Sequence, residues 1–241
     1  VRNRVGSGID VWAKSGEFPI IDKWYRLNAA GFEYHVERGE GCDFYDVGNS
    51  RGCGGLAVWR NDRPFVSQTY ATQRIVRNEP GDIEFVLTFD PWDAGGIQVS
   101  EERRVRMVLG TNLFQVGSTL KTAGDADLTA ALGLTTAGHA AVKRAAASGT
   151  LSCWEQLKPD HGALGTAVIV EPANCAGFAQ SGKDEFVLVK VKSNQPFRYY
   201  IGAGWERSPR FKTAARWDDY VARESGWAQL NVLYSRPAAT K

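Results

Sequence analysis

Alternation of apolar and polar side chains with a period of two runs through much of this chain, and it constrains the fold more than any motif. In residues 83–89, Ile83, Phe85, Leu87 and Phe89 fall on one side of an extended backbone, with Glu84 and Thr88 on the other. Val99, Val105, Met107 and Leu109 share a face, while Glu102, Arg104 and Arg106 take the opposite one. The pattern continues in Phe114, Val116 and Leu120, in Leu128, Ala130, Leu132 and Leu134, and in Val187, Val189 and Val191. Successive side chains of a strand point to opposite faces, so this spacing predicts half-buried antiparallel strands. Residues 166–170 are apolar on both sides, as in a central strand.

Turn-forming clusters such as Pro80-Gly81-Asp82, Asp93-Ala94-Gly95-Gly96 and Gly110-Thr111-Asn112 separate these runs. The expectation is an all-β chain, a large antiparallel β-sandwich with one short C-terminal helix. That helix is placed at residues 213–223, where Trp217, Tyr220 and Val221 have helical spacing and Thr213 can act as N-cap. No linker-like or low-complexity tract divides the 241 residues, so a single domain over 1–241 is expected. The chain starts at Val1 without a signal-like apolar stretch, as a mature or trimmed form would.

Charge narrows the partners. A formal net charge of +2 offers no basic surface for nucleic acid. No run approaches the roughly 18 apolar residues of a membrane helix, so no membrane insertion is expected. Cys42, Cys53, Cys153 and Cys175 form no CxxC and have no zinc-finger spacing to histidine. The local pairs Cys42/Cys53 and Cys153/Cys175 suit two disulfides in an oxidising compartment, against the alternative of four small buried hydrophobes.

With only three histidines, the chain has few groups for acid–base chemistry near neutral pH. Residues 34–55, YHVERGEGCDFYDVGNSRGCGG, concentrate titratable and aromatic side chains among glycines, which let a backbone approach a ligand closely. Alternation over residues 32–37 predicts a strand presenting Glu33, His35 and Glu37 on one face. Arg38, Glu40, Asp43, Tyr45, Asp46 and Arg51 follow. Elsewhere, Asp160-His161 lies in a turn, His139 has no notable neighbours, and Tyr200 and Trp205 are candidate stacking surfaces for sugar rings. There is no nucleotide-binding GxxxxGK[ST] and no HExxH.

The runs GFEYHVERGEGCDFYDVG, LAVWRNDRPFVS, TYATQRIV, IEFVLTFDPWD, EERRVRMVLGTNLFQV, LGTAVIVEP, YYIGAGWERS and FKTAARWDDYV resemble the domain-of-unknown-function family 4861 over residues 24–220. The resemblance implies a galactose-mutarotase-like supersandwich and a periplasmic or secreted role in bacterial polysaccharide breakdown. The expected reaction is lyase or dehydratase chemistry on a uronate-containing polysaccharide or oligosaccharide. β-Elimination needs a base for the C5 proton, an acid for the C4 oxygen and a cation for the carboxylate. The inventory of residues 34–55 assigns His35 as base, Tyr45 as acid, and Arg51 or Arg38 as carboxylate ligand. Glu37, Glu40, Asp43, His161, Tyr200 and Trp205 are the expected substrate contacts. No cofactor is implied, although a divalent cation such as calcium can replace arginine in such chemistry. Two other functions fit the same residues. A glycoside hydrolase or sugar mutarotase would use His35 with Glu37 or Glu40, and a non-catalytic carbohydrate-binding module would use Trp205, Trp59 or Tyr200.

Overall fold

A computed structural model describes residues 6–229; residues 1–5 and 230–241 of the expected domain lie outside the described part. The larger of two main sheets has eight strands. In spatial order they are β10 (Ala141–Ala145), β11 (Thr150–Glu155), β12 (Leu164–Val170), β15 (Pro196–Trp205), β8 (Leu113–Lys121), β7 (Gln98–Val108), β6 (Asp82–Asp93) and β5 (Thr72–Glu79). The smaller sheet runs β13 (Cys175–Ser181), β14 (Asp184–Lys192), β9 (Asp127–Thr135), β3 (Cys53–Arg60) and β4 (Arg63–Phe65). Neighbouring strands pair antiparallel throughout both sheets. A short pair, β1 (Ala13–Lys14) and β2 (Gly41–Cys42), belongs to the segment that precedes β3. This is the expected antiparallel sandwich.

The alternation is realised as burial. Leu128, Ala130, Leu132 and Leu134 of β9 meet Val187, Val189 and Val191 of β14 and Val116, Leu120, Val168 and Ile201 of the larger sheet in one core. Strand β12 is buried along its whole length between β11 and β15, as the apolar run predicted. On β6 and β7 the pattern holds less well. Ile83, Met107 and Leu109 are exposed at 41%, 45% and 62%, because eight strands extend beyond what five can cover.

Strand β7 carries a second surprise. Glu101 and Arg103 occupy the same face as Val99 and Val105, and both are buried. Arg103 donates two hydrogen bonds of 2.8 Å to the Glu101 carboxylate, Ser118 donates a third at 2.7 Å, and the guanidinium lies 4.5 Å from the Phe89 ring. A buried charge persists only when paired and hydrogen-bonded.

The outer face of the larger sheet is covered by α2 (Ala214–Gln229), longer than expected and capped by Thr213, whose hydroxyl accepts the Arg216 N–H. Trp217, Tyr220 and Val221 pack with Phe211 on Leu113, Ala167, Ile169 and Tyr200. The cross-strand pair Gly165 and Gly204 makes the room: a Cβ at either position would sit 2.6 Å from Trp217 or 2.4 Å from Phe211.

Three expectations are corrected. Residues 32–37 form turns, not a strand. The preceding residues build an unanticipated helix, α1 (Ile21–Ala29), whose last carbonyls accept the Gly31 and Phe32 N–H groups. Six alternating residues without a partner strand cannot satisfy their backbone in a ladder. The four cysteines are also free thiols, so neither local pair is a disulfide. Burial pushes the Cys53 and Cys153 thiols up to about 12 and Cys42 to about 11, which makes them inert core residues. Among the described residues no helix is long and apolar enough to cross a membrane.

Candidate functional site

Strand ends fix where the site lies. Cys53 begins β3 opposite Leu134, Asp184 begins β14 opposite Thr135, and Leu164 begins β12 between Glu155 and Trp205. All of these lie at one end of the sandwich, and the segment before β3 closes that end. Gly52 donates to Thr135 Oγ1 at 2.7 Å, the Arg51 N–H to Asp184 Oδ1 at 3.0 Å, and Tyr45 Oη to the Thr135 carbonyl at 3.1 Å. Gly41 needs its glycine, because its φ is +116° and a Cβ would lie 2.0 Å from the Ala13 carbonyl.

Outside this seal is a cleft of about 570 Å³ lined by Asp10, His35, Asp43, Phe44, Tyr45, Asp46 and Lys158, among others. His35 Nδ1 is 3.1 Å from the Asp43 carbonyl and 3.4 Å from its carboxylate. A carbonyl only accepts, so Nδ1 is the donor in this contact, and in the neutral ring the lone pair is then on Nε2. Burial, then Asp10, raise the Asp43 carboxyl to about 6, while His35 and Lys158 act the other way. Asp10 is tied to the Val11 N–H and to Trp12 Nε1, each at 2.8 Å. Among the described residues, no group of three or more His, Cys, Asp and Glu side chains is arranged to hold a metal ion.

The structure places His35, Asp43 and Tyr45 in the lining of one cleft, without an arginine, and redistributes the rest. Tyr45 is 3% exposed with its hydroxyl bonded away from the cleft, and burial holds it well above the ordinary phenol value, so it is no acid for a substrate. Arg51 is 1% exposed, donating to Ser7 Oγ and to the Leu56 and Asn49 carbonyls, and cannot reach a carboxylate in the cleft. Gly133 lets it pass, since a Cβ there would lie 2.5 Å from Arg51 Cβ. Arg38 donates to the Glu33 and Val36 carbonyls, beside a separate small pocket that Glu40 also lines. Glu40 pairs with Lys23. Glu37 accepts the Gly39 and Gly41 N–H groups and pairs with Arg207, holding the loop.

Tyr200 is sealed beneath α2 and accepts from Gln115, on the face opposite the core. Trp205 is 3% exposed and donates its indole N–H to the His161 carbonyl, so neither ring is open to a sugar. Trp59 packs on Phe186. His161 lies 5.2 Å from Phe44, with Nδ1 on the Pro159 carbonyl rather than on Asp160. His139 is exposed and contacts the Gln156 carbonyl.

Lys158 was missed. Its only sequence signal was a lysine two residues before the turn Asp160-His161. A GxSxG pattern at residues 48–52 is likewise present, but it precedes a strand rather than a helix, and Ser50 donates to the Val47 carbonyl.

The sequence model of a domain of unknown function, DUF4861, matches residues 1–229. The chain belongs to this family. Uncharacterized protein P7 of Formosa agariphila is 30% identical over 225 residues, covering 90% of this chain. The chain spans 55% of that relative's length. Among solved structures, a heparan sulfate lyase HepC mutant from Pedobacter heparinus matches 57% of this DUF4861 chain and 23% of its own, at 12% identity and a TM-score of 0.36. The GH36 α-galactosidase AgaA from Geobacillus stearothermophilus matches 62% of this chain and 30% of its own, at 11% identity and a TM-score of 0.35. Likeness this slight carries no argument about activity.

Proposed function

We propose that this chain is part of a carbohydrate-active enzyme, a carbon–oxygen lyase or dehydratase acting by β-elimination on a uronate-containing glycan, at work in the periplasm or outside the cell. The supporting observation is His35, whose Nδ1–H is held by the Asp43 carbonyl while Nε2 is left as a base beside a cleft that also presents Lys158. Nε2 takes the C5 proton, the C5–H electron pair forms the C4=C5 double bond, and the C4–O bond breaks. The imidazolium then returns its proton to the departing oxygen, so one histidine serves as base and acid. Lys158 replaces the expected arginine, its ammonium offsetting charge as it develops on the uronate carboxylate.

A second reading draws on the carboxylates. Asp43, at about 6, is partly protonated in mild acid, and with His35 it forms an acid–base pair suited to an acetal in a hydrolase or mutarotase. The ultraviolet absorbance of an unsaturated uronate separates the two, because only elimination makes the conjugated product. With oligomers of glucuronate, galacturonate and mannuronate as probes, the lyase reading requires that absorbance to rise and to fall by about a hundredfold or more in His35→Ala. New reducing ends without absorbance would overturn it in favour of hydrolysis.

A further inference from the structure

Next to the cleft lies a set of aromatic rings that the reaction does not use. The His35 ring is 4.4 Å from Tyr34, and Tyr34 is stacked on Trp12 at 4.4 Å. Trp12 is also stacked on the buried Trp24 at 5.8 Å and packs 5.3 Å from Tyr25. Tyr25 stands edge-on to Tyr34 at 6.1 Å and remains 54% exposed. The Trp12 indole N–H is held by Asp10, itself a cleft residue, so stack and cleft share one wall. Trp24 is the buried residue of α1, while Tyr25 beside it keeps much of its ring in solvent.

We infer that Tyr25 and Tyr34, backed by Trp12, form a second saccharide subsite, which holds a sugar unit adjoining the one at His35. The inference rests on the glycan reading of the cleft. The rings are pre-ordered by their mutual contacts, so little side-chain freedom is lost on binding. Tyr25 presents an apolar face with a hydroxyl at its tip, which matches the C–H face and hydroxyl rim of a pyranose. Tyr34 links the rings to His35 directly, so a single chain of sugars can span both places. The ligand is thus an oligosaccharide rather than a monosaccharide.

The test compares uronate disaccharides with tetrasaccharides of the same three uronates, read by tryptophan fluorescence and by turnover. Wild type should favour the tetrasaccharide, and Tyr25→Ala should lower that preference by about threefold to tenfold, raising KM with kcat unchanged. Ile75→Ala, at an exposed apolar residue of β5, should change nothing. If Tyr25→Ala leaves the preference intact while His35→Ala still abolishes turnover, the subsite is wrong and the cleft reading stands. If no oligosaccharide of any size binds or turns over, the glycan reading falls and takes the subsite with it.

Discussion

The imidazole of His35 meets Asp43 twice, through the main-chain carbonyl at 3.1 Å and the carboxylate at 3.4 Å. The first contact sets the tautomer and does not depend on the side chain. Asp43→Asn should therefore keep the base in place and retain activity within about tenfold, whereas His35→Ala removes it. Steady-state rates of the two variants on the same substrate check this, and equal losses would show that the carboxylate itself takes part.

Asp43 also makes stability depend on pH. Its folded-state value of about 6 lies above the ordinary 3.8, so the folded chain binds this proton more tightly than the unfolded one. The stabilisation is complete below about 4 and is lost as pH rises through about 6. Wild type should thus lose Tm relative to Asp43→Asn between pH 4 and 7. Parallel Tm curves across that window would contradict the assignment.

Tyr45→Phe separates structure from chemistry. The hydroxyl donates to the Thr135 carbonyl at 3.1 Å inside the seal beneath the cleft. Its loss should lower stability by about 1 kcal/mol while kcat stays near wild type. A large fall in kcat at unchanged stability would restore the acid role first expected for it.

The buried Glu101–Arg103 pair gives a test of the core. Glu101→Leu leaves a guanidinium uncompensated at 3% exposure and should cost about 3–5 kcal/mol in chemical denaturation. Adding Arg103→Met should recover most of that loss, because an apolar pair removes the stranded charge.

Gly165→Ala should loosen α2. The added methyl would meet Trp217 at 2.6 Å, and overpacking of this kind costs about 1–3 kcal/mol. Faster hydrogen exchange confined to Ala214–Gln229 would identify the helix as the element released.

Much of the fold was legible in local pattern. Leu128 to Leu134 and Val187 to Val191 alternate because one side of each strand must leave water, and Thr213 caps α2 because its hydroxyl satisfies a helix N–H. The same rule failed at residues 32–37, where alternation had no partner strand, and it passed over Glu101 and Arg103, whose pairing hides their charge. His35 also stood out from sequence, by its scarcity and its glycine-rich surroundings. What surrounds His35 was decided only in three dimensions. Lys158 reaches the cleft on the β11–β12 loop, while Arg51, only a few residues after Tyr45, turns beneath the smaller sheet. Periodicity is a property of neighbours along the chain, whereas a site depends on which strand ends the sheet order brings together. The sequence by itself determined strands, faces and one histidine; the tertiary structure determined which side chains share that histidine's cleft.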